Sequence, residues 1–204
     1  MYLPKIFKSE NFNVLKDIVD SHPFSNFIIY NNKIMSTRAM MMITGDENDY
    51  YIETHLNKAN PVALKVNPAQ EVLCDFLGAN TYISSSWYDH INASTWNYEQ
   101  VQIYGKLEIM SNQELYHHLD KLTNRFEISQ QCPMTLDKMG KDFVETEMKG
   151  TIGYKIIPTE VKIKQKLSQN RDEQNFHYII EHLLQSDESM DKIIAQKMID
   201  LKPK

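Results

Sequence analysis

FSNFIIYNNKIMSTRAMMMITGDENDYYIETHL, residues 24–56, decides the fold. Three runs rich in Ile, Met, Phe and Tyr (24–30, 34–44 and 50–56) are separated by the turn-prone NNK and GDEND, the pattern of consecutive antiparallel strands joined by tight turns. Upstream, Phe12, Leu15, Ile18 and Val19 recur at helical spacing over 10–21, and His22-Pro23 ends that helix. Downstream, 57–68 predicts a short helix between two Asn-Pro breaks, and EVLCDFLG (71–78) returns to strand. Over 98–110, Val101, Ile103, Leu107 and Ile109 share one face while Gln100, Gln102, Lys106 and Glu108 share the other, as in a half-buried strand. Leu115, Leu119 and Leu122 predict a helix over 112–127, followed by a short helix near 138–149 and by one or two strands in TIGYKIIPTEVKIKQKL (151–167). Two helices, 168–187 and 188–201, close the chain, the first with an apolar stripe of Phe176, Ile179, Ile180, Leu183 and Leu184. Six or seven antiparallel strands with helices between them predict a mainly β, α+β fold, a small closed or split barrel. A single domain over 1–204 is expected, with C-terminal helices from about 169–204 packed on it or extending from it.

A hydrophobic content of 42 % with 24 % charged residues is that of an ordinary globular protein, and no apolar run approaches the roughly 20 residues of a membrane helix. The N-terminus lacks a basic segment followed by an apolar one, so a cytoplasmic address is expected. Cys74 and Cys132 have no CxxC spacing, which suggests neither a zinc site nor a disulfide framework. A net charge of -5 argues against a nucleic-acid binder, which shows a basic balance or a concentrated basic face. Lys162, Lys164 and Lys166 alternate with Val161, Ile163 and Leu167, most simply a strand with one solvated face, with an anion-facing strand as the other reading.

The chain has no GxSxG, GxxxxGK[ST], HExxH or GxGxxG signature. His117 and His118 are adjacent and project differently from a helix, and His177 and His182 are five apart, so no transition-metal site is expected; His22, His55 and His90 read as structural or surface histidines. Aromatic residues are concentrated in GANTYISSSWYDHINASTWNYEQVQIYG (78–105), which holds both tryptophans; this favours a flat ligand, a subunit interface, or a hydrophobic plug under a long loop. Arginine is scarce, with Arg38, Arg125 and Arg171 alone. Arg38 lies mid-strand beside Ser36, Thr37 and Ala39, where a rigid five-donor fork suits a phosphate, with Thr54 and Lys58 at the next hairpin end; exposure, or pairing with Glu53 across the hairpin, is the competing reading.

HPF (22–24), HLNKANP (55–61), YISSSWY (82–88), TWNYEQVQIYG (95–105) and KLSQNR (166–171) together resemble the PaiB family, the FMN-binding negative transcriptional regulators. The resemblance covers nearly the whole chain in order. It implies an FMN-binding split barrel, a homodimer with the flavin at the subunit interface. A more distant similarity to pyridoxamine-phosphate-oxidase-like barrels implies Arg38 and Lys58 on the phosphate, Thr54 on phosphate or ribityl oxygens, and Gln100 at the ring system. With Met40 beside Arg38, and Trp96 (or Trp87) walling the pocket, the flavin-contact set is Arg38, Met40, Thr54, Lys58, Trp96 and Gln100.

The sequence departs from the family pattern at several of these places. Glu53 stands where the oxidase-like pattern has an aromatic residue, Arg38 and Met40 replace a histidine and a proline, and Asn80, Ser86 and Gln102 replace histidine, proline and histidine. Histidine-dependent redox or haem chemistry is thereby put in doubt. The regulatory label implies DNA as a partner, which neither the charge nor a helix-turn-helix pattern supports. A flavin oxidoreductase and a cofactor-free dimeric interaction module are the alternatives. The homodimer is open to a direct test: an interface of this kind should bury well over about 2,000 Å², and light scattering at micromolar concentration should give twice the 23.9 kDa of one chain.

Overall fold

The computed structural model describes residues 1–201. In chain order it has a 3₁₀ turn at Lys5–Phe7, the two-residue strand β1 (Lys8–Ser9), helix α1 (Phe12–Ser21), strands β2 (Phe24–Asn31), β3 (Lys33–Gly45) and β4 (Tyr50–Asn57), strands β5 (Glu71–Ile83) and β6 (Thr95–Ile109), helices α2 (Asn112–Glu127), α3 (Leu136–Met139) and α4 (Lys141–Lys149), strand β7 (Thr151–Lys166), and helices α5 (Glu173–Gln185) and α6 (Ser189–Leu201). The meander forms as expected, in antiparallel register from Phe24↔Met40 to Asn31↔Lys33 and from Met41↔Thr54 to Gly45↔Tyr50. The strand order is β1-β7-β4-β3-β2-β5-β6, and a further β7–β6 pairing closes it on itself. β7 makes this closure by length. Its 16 residues pair with β4 over 151–156 and with β1 at Ile163 and Lys164.

Backbone contacts group the chain into two compact units, each assembled from discontinuous segments. The first comprises Met1–His22, Asp75–Gln102 and the segment from Val161 onward. Its core holds Ala79 and Ile83 of β5, Phe176, Ile179 and Leu183 of α5, and Ile194, Ala195 and Met198 of α6. α1 starts where the Asn11 side chain accepts from the Asn13 N–H at 2.8 Å, and α5 where the Asp172 carboxylate accepts from the Asn175 N–H at 2.9 Å, each satisfying a donor the first turn leaves open. The second unit comprises Pro23–Cys74 and Ile103–Glu160. Phe27, Met41, Ile52, Ile103, Leu107, Tyr154 and Ile156 are fully buried in it, and Phe27 stacks on Tyr154 at 6.1 Å. Each such side chain contributes about 1.5–3 kcal/mol by burial. A capping box starts α2, Ser111 and Glu114 each bonding the other's backbone N–H.

Several expectations are corrected. Residues 57–68 form turns with only a 3₁₀ segment at Ala63–Lys65, because Asn57 and Asn60 accept from nearby N–H groups and hold a turn. β5 runs five residues past Gly78, so much of the aromatic stretch is strand rather than loop. The helix near 138–149 is broken at Gly140, whose φ of 84° ends α3. Residues 151–167 give one strand, not two. Ile109 and Leu184 are exposed, each at the end of its element. The lysine face of β7 is not solvated: Lys164 is only 5 % exposed and Lys162 and Lys166 are half-buried. Cys74 is buried, which pushes its thiol up, and Cys132 is exposed. Among the described residues no helix is long and apolar enough to cross a membrane.

Gly105 is needed where β6 and β7 meet. A Cβ there would lie 2.5 Å from Ile156 Cγ2 and 2.6 Å from the Ile157 carbonyl oxygen, and the second of these is backbone that cannot turn aside. Gly105→Ala should therefore destabilise the protein by roughly 1–3 kcal/mol, read as a lower melting temperature by circular dichroism.

Candidate functional site

In the second unit, β3 and β4 carry three of the expected contacts, Arg38, Met40 and Thr54, and Lys58 follows β4 directly. Arg38 is exposed on β3, in register with Asn26 of β2, and its Nη1 reaches the Phe24 carbonyl oxygen at 3.5 Å. It does not pair with Glu53. Among the described residues no carboxylate pairs with Arg38. Thr54 is fully buried and its hydroxyl donates to the Met40 carbonyl oxygen at 2.7 Å, so it holds β3 in place beside Arg38. Asn60 donates to Thr37 Oγ1 at 3.1 Å and ties the segment after β4 to the strand of Arg38. The Lys58 ammonium donates to the Lys149 carbonyl oxygen at 2.7 Å and lines a pocket of about 500 Å³ with Asn112, Tyr116, Glu145 and Lys149. The structure thus joins Met40 to Thr54 and leaves Arg38 and Lys58 on separate partners.

A polar cluster in the same unit was missed by the sequence reading. Glu53 and His55 alternate on one face of β4, and His118 and Lys121 stand one turn apart on α2. His118 is fully buried, with Nε2 2.9 Å from His55 Nδ1 and Nδ1 3.5 Å from Glu53 Oε2. Lys121 Nζ lies 2.8 Å from Glu53 Oε2 and 2.8 Å from Thr44 Oγ1. Burial works to raise the Glu53 carboxyl, but His118, Lys121 and Thr44 beside it outweigh that and hold it at about 2. Burial, with His118 beside it, lowers His55 to about 4. Between His118 Nε2 and His55 Nδ1 one nitrogen donates and the other accepts, while His118 Nδ1, 3.5 Å from Glu53, has no hydrogen-bond partner among the described residues; the carboxylate therefore stands beside the histidine pair and is held by Lys121. The two halves were legible separately, as residues two apart on a strand and three apart on a helix. What the sequence did not supply was the packing of α2 on β4.

In the first unit, Trp96 of β6 is 52 % exposed and meets Tyr82 edge-on at 6.3 Å. The amide of Gln100 donates to Asp75 at 2.8 Å. Trp87 is not free to wall a pocket, because its ring stacks on His182 at 5.0 Å.

A family model described as "Putative FMN-binding domain" matches residues 1–160. The chain belongs to that family. It is 32 % identical over 201 residues to Protease synthase and sporulation protein PAI 2 of Bacillus subtilis (strain 168), a match covering 98 % of this chain and 97 % of that protein. This agrees with the PaiB resemblance of the five motifs. Among solved structures the chain is similar to the FAD and heme binding protein from Mycobacterium smegmatis (TM-score 0.58, 14 % identity, 78 % of this chain and 73 % of that one) and to the flavocytochrome Anf3 from Azotobacter vinelandii (TM-score 0.54, 16 % identity, 84 % and 75 %). A conserved hypothetical protein, Rv2991 from Mycobacterium tuberculosis, is also similar (TM-score 0.57, 15 % identity, 84 % and 94 %). At these identities the likeness establishes the α+β split-barrel fold.

The cluster gives this family member a signed pH dependence. Both groups titrate lower in the folded state than in the unfolded chain, so the unfolded chain binds more protons and acid destabilises. The His55 contribution is complete above its ordinary value of 6.5 and is lost as pH falls to about 4; that of Glu53 is complete above 4.5 and is lost toward about 2. The melting temperature should fall across both windows, and in His55→Gln the upper limb should flatten while the lower one remains.

Proposed function

We propose that this chain is an FMN-binding protein of the PAI 2 type that works as a homodimer, with any regulatory role exerted without direct DNA contact. The observation that carries the reading is the family match over residues 1–160, and the residue that fits it best is Arg38, an exposed guanidinium without a carboxylate partner among the described residues. Five donors in a planar fork are the natural partner of a phosphate. Lys58 would join it by leaving the Lys149 carbonyl, while Met40 and Thr54 fix the strand. Bound flavin would supply the redox chemistry. The chain would supply phosphate recognition and, at the hydrogen-bonded His55–His118 pair, imidazole nitrogens able to exchange a proton. That pair supports a second reading, a flavin-dependent oxidoreductase on a small substrate, which reduction of bound flavin by NAD(P)H would separate from the first. The net charge of -5 supports an indirect regulatory role rather than operator binding.

The test is the phosphate. A charge-assisted bond is worth about 1.5–3 kcal/mol, so Arg38→Ala should weaken FMN binding by roughly ten- to a hundredfold and riboflavin binding by much less. Equal losses would place the damage in the fold or the ring pocket, and unchanged FMN affinity would move the phosphate elsewhere.

A further inference from the structure

Three cations of the first unit, Lys164, Lys166 and Arg171, lie within eight residues of chain, and among the described residues none of them has a carboxylate partner. Lys164 and Lys166 share a face of β7, about 7 Å apart along a strand, and Arg171 follows in the turn before α5. Lys164 Nζ donates to the Tyr98 hydroxyl at 2.6 Å and to the Tyr2 carbonyl oxygen at 3.1 Å, with the Tyr98 and Tyr2 ring centroids 4.9 and 5.7 Å away. Lys166 Nζ donates to Thr95 Oγ1 at 2.6 Å and to the Trp96 carbonyl oxygen. All four acceptors are neutral, and each ammonium has a third donor to spare. The Arg171 guanidinium lies over the Tyr88 ring at 5.0 Å, and its Nε is buried without a hydrogen-bond partner, as is the Tyr88 hydroxyl. Among the described residues no carboxylate bridges any of the three cations.

The turn carrying Arg171 is built rather than loose. Ser168 takes a positive φ of 63°, and its hydroxyl donates to Asn97 at 3.0 Å. Gln169 accepts from the Leu167 N–H and donates to the Gln165 carbonyl oxygen, while the Arg171 N–H bonds the Ser168 carbonyl oxygen at 3.0 Å. This accounts for the KLSQNR motif as a rigid hinge that aims its terminal arginine. Burial, Lys164 and Arg171 all lower the Lys166 ammonium, as expected of cations held together without a counter-charge.

Uncompensated buried charge is costly, and a dense set of spare donors offsets that cost when an anion is bound. We propose that Lys164, Lys166 and Arg171 form an anion site for the phosphate of a small aromatic phosphate ester, with the exposed ring of Trp96 beside it to receive the planar group. A dianionic phosphate matches the surplus of charge better than a carboxylate, and Trp96 with the edge-on Tyr82 supplies an aromatic face. The proposed site shares no residue with the Arg38 contact proposed above.

The probes are AMP, inorganic phosphate and adenosine, titrated calorimetrically into the full chain. AMP and phosphate should bind saturably, with adenosine at least tenfold weaker than AMP. Lys166→Met and Arg171→Met should each weaken AMP tenfold or more, Arg171→Lys should stay within about threefold, and Arg38→Ala should leave AMP unchanged while still weakening FMN. Melting temperatures within a few degrees of the parent's establish that the variants fold. Saturable binding of neither AMP nor phosphate, equal affinity for AMP and adenosine, or equal losses in Arg171→Lys and Arg171→Met would overturn the proposal. If Lys166→Met and Arg171→Met abolish FMN binding while Arg38→Ala spares it, the cluster is the flavin phosphate site itself and a separate site is excluded.

Discussion

The carboxylate of Glu53, 6 % exposed, is the constraint on which the second unit depends. A buried ion is tolerable only where partners replace its water, and here the partners come from another element. Lys121 of α2 binds it with His118 beside it, and Lys155 of β7, in register with Glu53, bonds Glu114 at the capping box that starts the same helix. α2 is thereby held on β4, because turning the helix away would take Lys121 from the Glu53 carboxylate and leave it in a dry environment. The apolar contacts of Leu115 could be made in several ways; the ionic ones could not.

The first unit repeats the device with different residues. Glu99 of β6, fully buried, receives Gln165 of β7 at 2.9 Å and Lys197 of α6 at 2.8 Å, and Lys197 also bonds Asp17 of α1 at 2.7 Å. Burial works to lower the Lys197 ammonium, but Asp17 and Glu99 win and raise it. One lysine thus ties a strand, the first helix and the last helix. On the opposite face of the same strands no carboxylate pairs with Lys164 or Lys166 among the described residues. That contrast within a few residues separates a structural ion pair from a set of charges held for something else.

The legible parts of this chain are those whose signals are local. The meander of 24–56 could be read because period-two alternation and turn residues are decided by immediate neighbours, and helix α2 because Ser111 and Glu114 sit three apart ahead of its leucines. β5 was cut short because Gly78, Ala79 and Asn80 look like a loop; they continue the strand where Gly78 packs against Glu99 and Ile18. The lysine stripe was misjudged for a related reason. Alternation reports that two faces differ, not which one meets water, and Tyr2 and Tyr98, both distant in sequence, cover the cationic face. Of the candidate site, scarce Arg38 was legible as an unpaired cation, while the engagement of Lys58 by Lys149, of Thr54 by Met40 and of Gln100 by Asp75 depends on contacts that spacing does not encode.

The same distinction bears on how charge informs function. A net charge of -5 is a property of the whole surface, and it weighs against long tracts of phosphate backbone, which need many cations spread over a face. A small phosphorylated ligand makes a different demand. It needs two or three cations at one point, shielded enough that water and salt do not dilute them, and an acidic remainder does not prevent that. Arg38 offers one such cation in the open; Lys164 and Arg171 lie against aromatic rings and Lys166 is half-buried. A phosphate held at either place would rest on arginine and lysine rather than on the protonation state of an imidazole, so its binding would not depend on a group that titrates near neutrality.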